Sequence, residues 1–123
     1  MPSNQKKTLV LGASANPSRY SYLAINRLKN LNHPVIGIGK KAGRVGDIDI
    51  SVDQHEIEDV DTVTLYLSAA NQKQYYDYIL SLHPKRIIFN PGAENDELVA
   101  IAKENGIQPL EACTLVLLST GQY

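Results

Sequence analysis

The sequence has 123 residues, of which 43% are hydrophobic and 20% charged, and its formal net charge is -1. This size and composition are typical of one soluble globular domain, and we expect a single domain over residues 1–123. The near-neutral charge excludes bulk electrostatic binding to nucleic acid or a membrane surface, so a small molecule is the expected ligand.

Targeting and metal-binding signals are absent from the sequence. No apolar run approaches the roughly 20 residues that span a bilayer, and the opening MPSNQKK lacks the apolar segment of a signal peptide, so we expect a cytoplasmic protein. The single cysteine, Cys113, excludes an intramolecular disulfide, and the three histidines are scattered, so we expect no metal site.

Short apolar strands alternate with helical patterns along the chain. The strands are predicted at Thr8–Leu11, Val35–Ile38, Thr62–Leu67, Arg86–Phe89 and Gln108–Ala112. The helices are predicted at Tyr20–Leu31, from the Ser68 cap to Leu82, at Asn95–Glu104 and at Leu115–Leu118. This alternation predicts a parallel sheet that is covered by helices on both faces.

The segment between the second and third predicted strands is less regular. We predict a flexible basic loop over Lys40–Gly46, a short extended piece over Asp47–Val52 and a helical turn over Asp53–Asp59. The fold class is therefore α/β, a Rossmann-like doubly wound parallel sheet of five strands in the order 3-2-1-4-5.

Ligands of such sheets bind at the carboxyl ends of the strands, and the loop after the first strand is the most informative. Gly12 allows a sharp turn, and Ser14 and Asn16 can hydrogen-bond either a phosphate or the loop itself. The amides at the start of the following helix, with Arg19 beside them, favour an anion. The competing interpretation is a plain turn in which Ser18 caps the helix.

The residues at the end of the second strand distinguish between NAD and cofactors with a phosphorylated ribose. NAD-binding domains usually place a carboxylate here for the ribose hydroxyls, whereas this chain has Gly39-Lys40-Lys41. A lysine pair suits a phosphorylated ribose, as in NADP or coenzyme A. The first loop has only the first glycine of the dinucleotide fingerprint, and 123 residues leave no room for a substrate domain.

The loop LGASANPSRYSY, the basic end of the second strand and the corner IIFNPGAEN together resemble the CoA-binding domain family. These are stand-alone bacterial proteins similar to the N-terminal domain of the succinyl-CoA synthetase alpha subunit, and the resemblance extends from about Lys7 to Thr120. Many relatives have proline near the end of the second strand, where this chain has Gly37-Ile38-Gly39. These 123 residues do not include the phosphohistidine domain of the synthetase, so we expect binding and not ligase activity from the resemblance.

The resemblance implies a coenzyme A site at the ends of four strands. We expect it to comprise Gly12, Ala13, Ser14, Asn16, Pro17, Arg19 and Tyr20; Gly39, Lys40 and Lys41; Tyr66, Leu67 and Ser68; and Asn90, Pro91 and Gly92. No catalytic residue is predicted.

Three functions follow from these patterns. The first is non-catalytic binding of coenzyme A or an acyl-CoA, for delivery or sensing together with a partner protein. The second is NADP-type binding or an enzyme, either an oxidoreductase or an acyl-transfer enzyme that uses Cys113 as a thiol. The third is a protein-interaction module with a vestigial crevice, in which the tyrosine-rich Tyr75–Tyr78 segment or the Thr120–Tyr123 end supports a homo-oligomer.

Overall fold

A computed structural model describes residues 5–123. Residues 1–4, which belong to the predicted domain and to the MPSNQKK segment, lie outside the described residues. The strands are β1 (Thr8–Leu11), β2 (Val35–Ile38), β3 (Gly43–Val45), β4 (Ile48–Ser51), β5 (Thr62–Leu65), β6 (Arg86–Phe89) and β7 (Gln108–Glu111). The helices are α1 (Tyr20–Asn30), α2 (Ala69–Gln72), a 3₁₀ turn (Lys73–Tyr75), α3 (Tyr76–Leu82), α4 (Asp96–Glu104) and α5 (Thr114–Ser119).

The strands form one sheet of seven in the order β3-β4-β2-β1-β5-β6-β7. All neighbours are parallel except β3 and β4, which form an antiparallel hairpin at one edge. The α/β class and the Rossmann-like parallel sheet are therefore confirmed. Counting the parallel strands alone gives the order 3-2-1-4-5-6, which is the doubly wound arrangement.

The predicted number of strands and their assignment were wrong. The segment expected to be a flexible loop contains β3, which returns through Gly46 (φ +62°) to pair with β4. The third parallel strand is thus β4, beside β2, and Thr62–Leu65 lies on the other side of β1 instead of beyond β2. The chain crosses the sheet in the segment 53–59, which has no helical turn, contrary to the prediction.

Each face of the sheet has its own core. Leu9 and Leu11 of β1 point into a core built with α3 and α4, whereas Val10 points into a core built with α1 and α5. Alternation of β1 side chains between two buried faces explains why the strand is apolar without interruption. Because helices cover both faces of the sheet, the ends of the strands are the part of it that a ligand can reach.

Two helices differ from the sequence prediction. The spacing in the sequence predicts one apolar face of α1 that comprises Tyr20, Leu23, Ala24, Leu28 and Leu31. Its buried stripe is instead Ser21, Ala24, Ile25 and Leu28, and Tyr20 is 72% exposed. The helix expected over Ser68–Leu82 is interrupted by the 3₁₀ turn. The fully buried Gln72 precedes this turn, and its amide donates to the carbonyl oxygens of Leu67 and Ala93, both at 2.8 Å.

Candidate functional site

The register of the sheet places the carboxyl ends of its central strands at one level. Leu11 of β1 is opposite both Ile38 and Leu65, and Leu65 is opposite Phe89. The strand order reverses between β1 and β5, since the chain passes from β1 to β2 on one side and later returns to β5 on the other. A doubly wound sheet opens a crevice at such a point.

A cavity of about 660 Å³ lies at this reversal point, within the range of small-molecule sites. Its lining residues come from four loops: Gly12, Ala13, Ser14, Ala15, Asn16, Arg19, Tyr20, Ser21, Lys40, Lys41, Ala42, Tyr66, Leu67, Ser68, Asn71, Pro91, Gly92 and Ala93. All of the residues predicted to bind ligand line this crevice except Pro17, Gly39 and Asn90. The structure thus brings together segments that are up to about 80 residues apart in the sequence.

Sequence reasoning did not select Ala15, Ser21, Ala42, Asn71 and Ala93, which also line the crevice. Four of them are small residues that carry no chemical signal, and they are recognisable only by their position within the predicted loops. Asn71 was not selected as a site residue because it lies inside the helix predicted after Ser68.

The loop after β1 turns sharply at Gly12. Gly12 has a φ of +87°, and a Cβ there would lie 2.7 Å from the carbonyl oxygen of Tyr66, so a side chain is excluded both by conformation and by space. The amides of Gly12 and Ala13 both donate to the carbonyl oxygen of Ile38, at 2.9 and 3.0 Å. The beginning of the loop is therefore fixed to β2.

The polar side chains of this loop bond the loop itself. The Ser14 hydroxyl accepts from the Asn16 amide at 3.0 Å. The side-chain oxygen of Asn16 accepts from the amide of Ser18 at 3.0 Å and from its hydroxyl at 2.9 Å. Pro17 is exposed and lies outside the crevice lining. Asn16 and Ser14 thus shape the loop, and the Ser14 hydroxyl and the Asn16 NH₂ group still have donors for a ligand.

Helix α1 begins at the crevice with an open N-terminus. Its N-cap residue is Arg19, not Ser18, and no side chain caps the helix; its first turn contains no acidic residue. Within residues 5–123 the amides of Tyr20 and Ser21 have no hydrogen-bond partner. Unsatisfied amides at the positive end of a helix dipole form a ready site for an anion.

Three cations stand around this helix start. Arg19, Lys40 and Lys41 are exposed, and none of them forms an ion pair within the described part of the chain. Gly39, just before the lysines, is buried, and a Cβ on it would collide with the carbonyl oxygen of Ala13. Gly39 therefore serves close packing of the two loops, which brings the lysine pair next to the first loop.

The opposite wall is provided by the segment after β5. Tyr66 and Leu67 are half-buried and Ser68 is exposed. The Tyr66 hydroxyl is buried and makes no hydrogen bond of ordinary geometry within residues 5–123, although the hydroxyls of Thr64 and Thr114 are close to it. Burial raises the pKa of Tyr66 above its ordinary value, so this wall is uncharged at neutral pH.

The corner after β6 rests on a buried amide. Asn90 is 2% exposed and donates to the Thr64 hydroxyl (2.7 Å) and the Leu65 carbonyl (2.8 Å), while its oxygen accepts from the Thr114 amide (2.8 Å). Asn90 therefore joins the ends of β5 and β6 to the start of α5, and it supports the crevice from below. Pro91 and Gly92 are the exposed residues of this corner.

The single cysteine is not part of the crevice lining. Cys113 is half-buried at the N-cap of α5 and does not belong to the crevice lining. Over residues 5–123, no group of three or more His, Cys, Asp or Glu side chains is arranged to hold a metal ion. In the same part of the chain, no helix has the length and apolar character needed to cross a membrane.

Comparison with known structures identifies close and distant relatives. A crystal structure of an uncharacterized protein is 53% identical, with a TM-score of 0.95 over 98% of this chain and 100% of that one. A hypothetical protein from Pyrococcus horikoshii is 20% identical, with a TM-score of 0.85 over 95% of this chain and 84% of that one. A Thermus thermophilus structure is 19% identical, with a TM-score of 0.81 over 97% and 91% of the two chains.

Among curated proteins none matches this chain. The family model described as CoA binding domain matches residues 6–119, which include every loop of the crevice. The resemblance seen in the loop after β1 and in the corner after β6 is thereby confirmed. The chain belongs to the CoA-binding domain family.

Proposed function

We propose that this protein binds coenzyme A or an acyl-CoA in the crevice between β1 and β5 and catalyses no reaction on it. The observation that carries the proposal is the open start of α1 together with three unpaired cations, Arg19, Lys40 and Lys41. Coenzyme A has a pyrophosphate, a phosphorylated ribose and a long uncharged arm, and this charge distribution suits such a crevice.

The proposal assigns a different part of the crevice to each part of the ligand. The pyrophosphate would accept hydrogen bonds from the amides of Tyr20 and Ser21, with Arg19 beside it. Lys40 and Lys41 would meet the phosphorylated ribose. The uncharged arm would run along the half-buried Leu67 toward the corner after β6, where a charged group is not required.

The lining of the crevice supports binding without chemistry. General acid–base catalysis needs a proton donor or acceptor near the substrate, most often a histidine or a carboxylate and less often a lysine or tyrosine. The lining residues include no His, Asp, Glu or Cys, and the groups of these kinds in it are two lysines, assigned to the ribose phosphate, and two tyrosines. The acyl-transfer hypothesis requires Cys113 at the ligand, and its half-buried position outside the lining gives that hypothesis no support.

NADP is the main competing ligand, because it also has a pyrophosphate and a phosphorylated ribose. Isothermal titration calorimetry with coenzyme A, its analogue without the ribose phosphate (dephospho-CoA) and NADP distinguishes them. We expect coenzyme A to bind more tightly than NADP. Absence of heat with coenzyme A at concentrations well above about 1 mM, the limit of weak binding, would overturn the proposal.

The lysine pair provides a matched test of the assignment. Lys40→Ala should weaken coenzyme A about threefold to tenfold, as expected for losing one exposed charge contact, and leave dephospho-CoA unchanged. Lys103→Ala, which removes an exposed lysine near the far end of α4, is the control and should change neither affinity. Equal losses for both ligands would place the ribose phosphate away from Lys40.

A further inference from the structure

The crevice lining is cationic on one side, and acidic residues follow directly in the chain after its other side. The β1 and β2 side has the three cations Arg19, Lys40 and Lys41, here called the cationic rim. The corner after β6 leads into Glu94, Asp96 and Glu97, here called the acidic corner; all three are exposed, and none takes part in an ion pair among residues 5–123. A ligand that spans the crevice therefore experiences a gradient of potential.

One member of the acidic corner is bonded to the crevice lining. The carboxylate of Glu94 accepts from the amide of Gly92 at 2.9 Å, and Gly92 lines the crevice. The carboxylate of Glu97 accepts from the Tyr76 hydroxyl at 3.0 Å, and Tyr76 lies outside the lining. Glu94 is therefore the acidic residue with a defined position beside the crevice.

Helix stability accounts for part of this corner only. Asp96 and Glu97 lie in the first turn of α4, where carboxylates stabilise the positive end of the helix dipole. Glu94 precedes the N-cap residue Asn95 and lies outside the helix. Its carboxylate lies beside Gly92 of the crevice corner, and the hydrogen bond does not require the charge, since a neutral side chain could accept it as well.

We infer that the site selects acyl-CoA by the charge of the acyl group, favouring a neutral acyl group over one that ends in a carboxylate. This inference rests on the proposed function. All charges of coenzyme A belong to its nucleotide half, which the cationic rim attracts, so the uncharged arm leads toward the acidic corner. An acyl carboxylate would then lie near Glu94, and like charges repel each other.

Propionyl-CoA and malonyl-CoA are a matched pair of probes, because both acyl groups have three carbons and only malonyl ends in a carboxylate. At low ionic strength, about 20 mM, we expect malonyl-CoA to bind threefold to tenfold more weakly in calorimetry. The difference in affinity between propionyl-CoA and malonyl-CoA should decrease at about 300 mM salt, where the charges are screened. Attraction to the cationic rim alone would give the opposite order, since malonyl-CoA carries the additional negative charge.

Glu94→Gln tests the source of the selectivity, because glutamine can accept the Gly92 hydrogen bond without the charge. This variant should reduce the gap between the two thioesters by at least half while changing propionyl-CoA binding little. Glu104→Gln, at the other end of α4, removes the same charge away from the crevice and should leave the gap intact. Equal affinities in the native protein, or a gap that Glu94→Gln does not alter, would overturn the inference. Failure of coenzyme A and both thioesters to bind would instead overturn the proposed function.

Discussion

Helices α1 and α4 both begin at the carboxyl edge of the sheet, yet their N-termini are built differently. The start of α4 is closed: Asn95 accepts from the Leu98 amide at 3.2 Å, and Asp96 and Glu97 neutralise the dipole. The start of α1 has neither a side-chain cap nor an acidic residue, and Arg19 is at its N-cap position. Helix stability explains the first arrangement, whereas the second leaves amides free at the cost of helix stability. Helix stability therefore does not account for the open start of α1.

The largest effect is expected from removing the cap of α4. Asn95→Ala loses the cap, a buried hydrogen bond to Gln72 at 2.9 Å and a partly buried one to Tyr76 at 2.8 Å. We expect the free energy of unfolding to fall by about 2–4 kcal/mol, measured by urea denaturation. Coenzyme A affinity should stay within about twofold while the protein is folded, because Asn95 lies outside the crevice lining. A loss below about 1 kcal/mol would show that the closed start matters little to stability.

The equivalent change at α1 should have the reverse outcome. Arg19→Ala removes a side chain that makes no cap hydrogen bond, so the free energy of unfolding should change by less than about 0.5 kcal/mol. Coenzyme A should bind about tenfold more weakly, because one charge near the pyrophosphate is lost. If Arg19→Ala unfolds more easily than Asn95→Ala, the contrast between the two helix starts is wrong.

Converting the open start into a closed one gives a smaller effect. Tyr20→Glu introduces a carboxylate into the first turn of α1 at a position that is 72% exposed. We expect a gain of about 0.3–1 kcal/mol in stability and a threefold to tenfold loss in coenzyme A affinity. Tyr20→Gln serves as the control that removes the ring without adding charge. Equal affinities of the Glu and Gln variants would indicate that the anion does not bind at this helix start.

His33 lies at the amino-terminal end of β2, opposite the crevice. We expect it to make the free energy of unfolding depend on pH, independently of the crevice. His33 accepts a hydrogen bond from the Lys6 amide at 2.9 Å and packs edge-on against Tyr123. Burial, followed by the charges of Lys6 and Arg86, lowers the pKa of His33 below its usual 6.5. Because the pKa of His33 is lower in the folded state, neutral His33 stabilises the fold above about pH 6.5. This contribution is lost as the pH falls through the folded-state pKa.

This pH dependence is measured by urea denaturation between about pH 7.5 and 5. The free energy of unfolding of His33→Gln should fall less over this range than that of the native protein. His55→Gln, which alters an exposed histidine in the segment 53–59, should follow the native curve. Identical slopes for all three proteins would contradict a role for His33.

The smallest effect concerns the start of α5, which follows the carboxyl end of β7. The Thr114 amide of α5 already donates to Asn90, so this first amide is satisfied although α5 has no side-chain cap and no acidic residue in its first turn. We therefore expect no activation of the neighbouring Cys113, and iodoacetamide should alkylate it no faster than free cysteine at neutral pH. Faster alkylation would reopen the acyl-transfer hypothesis.

The strands were predictable where local signals were strong. The bounds of β1, β2 and β6 match the prediction, because each is a short apolar run next to a turn or a proline. Strand β3 of the β3–β4 hairpin was not predicted, because Gly43–Val45 has only three residues and no apolar alternation. The position of Thr62–Leu65 beside β1 depends on pairing between distant segments, which no local pattern encodes.

The crevice was largely predictable because its position follows from the sheet, not from the chemistry of single residues. The loops after β1, β2, β5 and β6 meet wherever parallel strands end together. The direction of individual side chains was not predictable. Asn90 and Gly39 appeared equivalent to their exposed neighbours in sequence, but one is a buried hydrogen-bonding residue and the other permits contact with Ala13.

That contact between Gly39 and Ala13 has a kinetic consequence. Because the first loop is packed against and hydrogen-bonded to the backbone before the lysine pair, we expect the proposed binding to require no closure of one loop onto the other. Association should then be limited by encounter and accelerated by the cationic rim, so its rate should fall steeply as salt increases. Differences in affinity among thioesters that share the same nucleotide half should accordingly appear in their residence times.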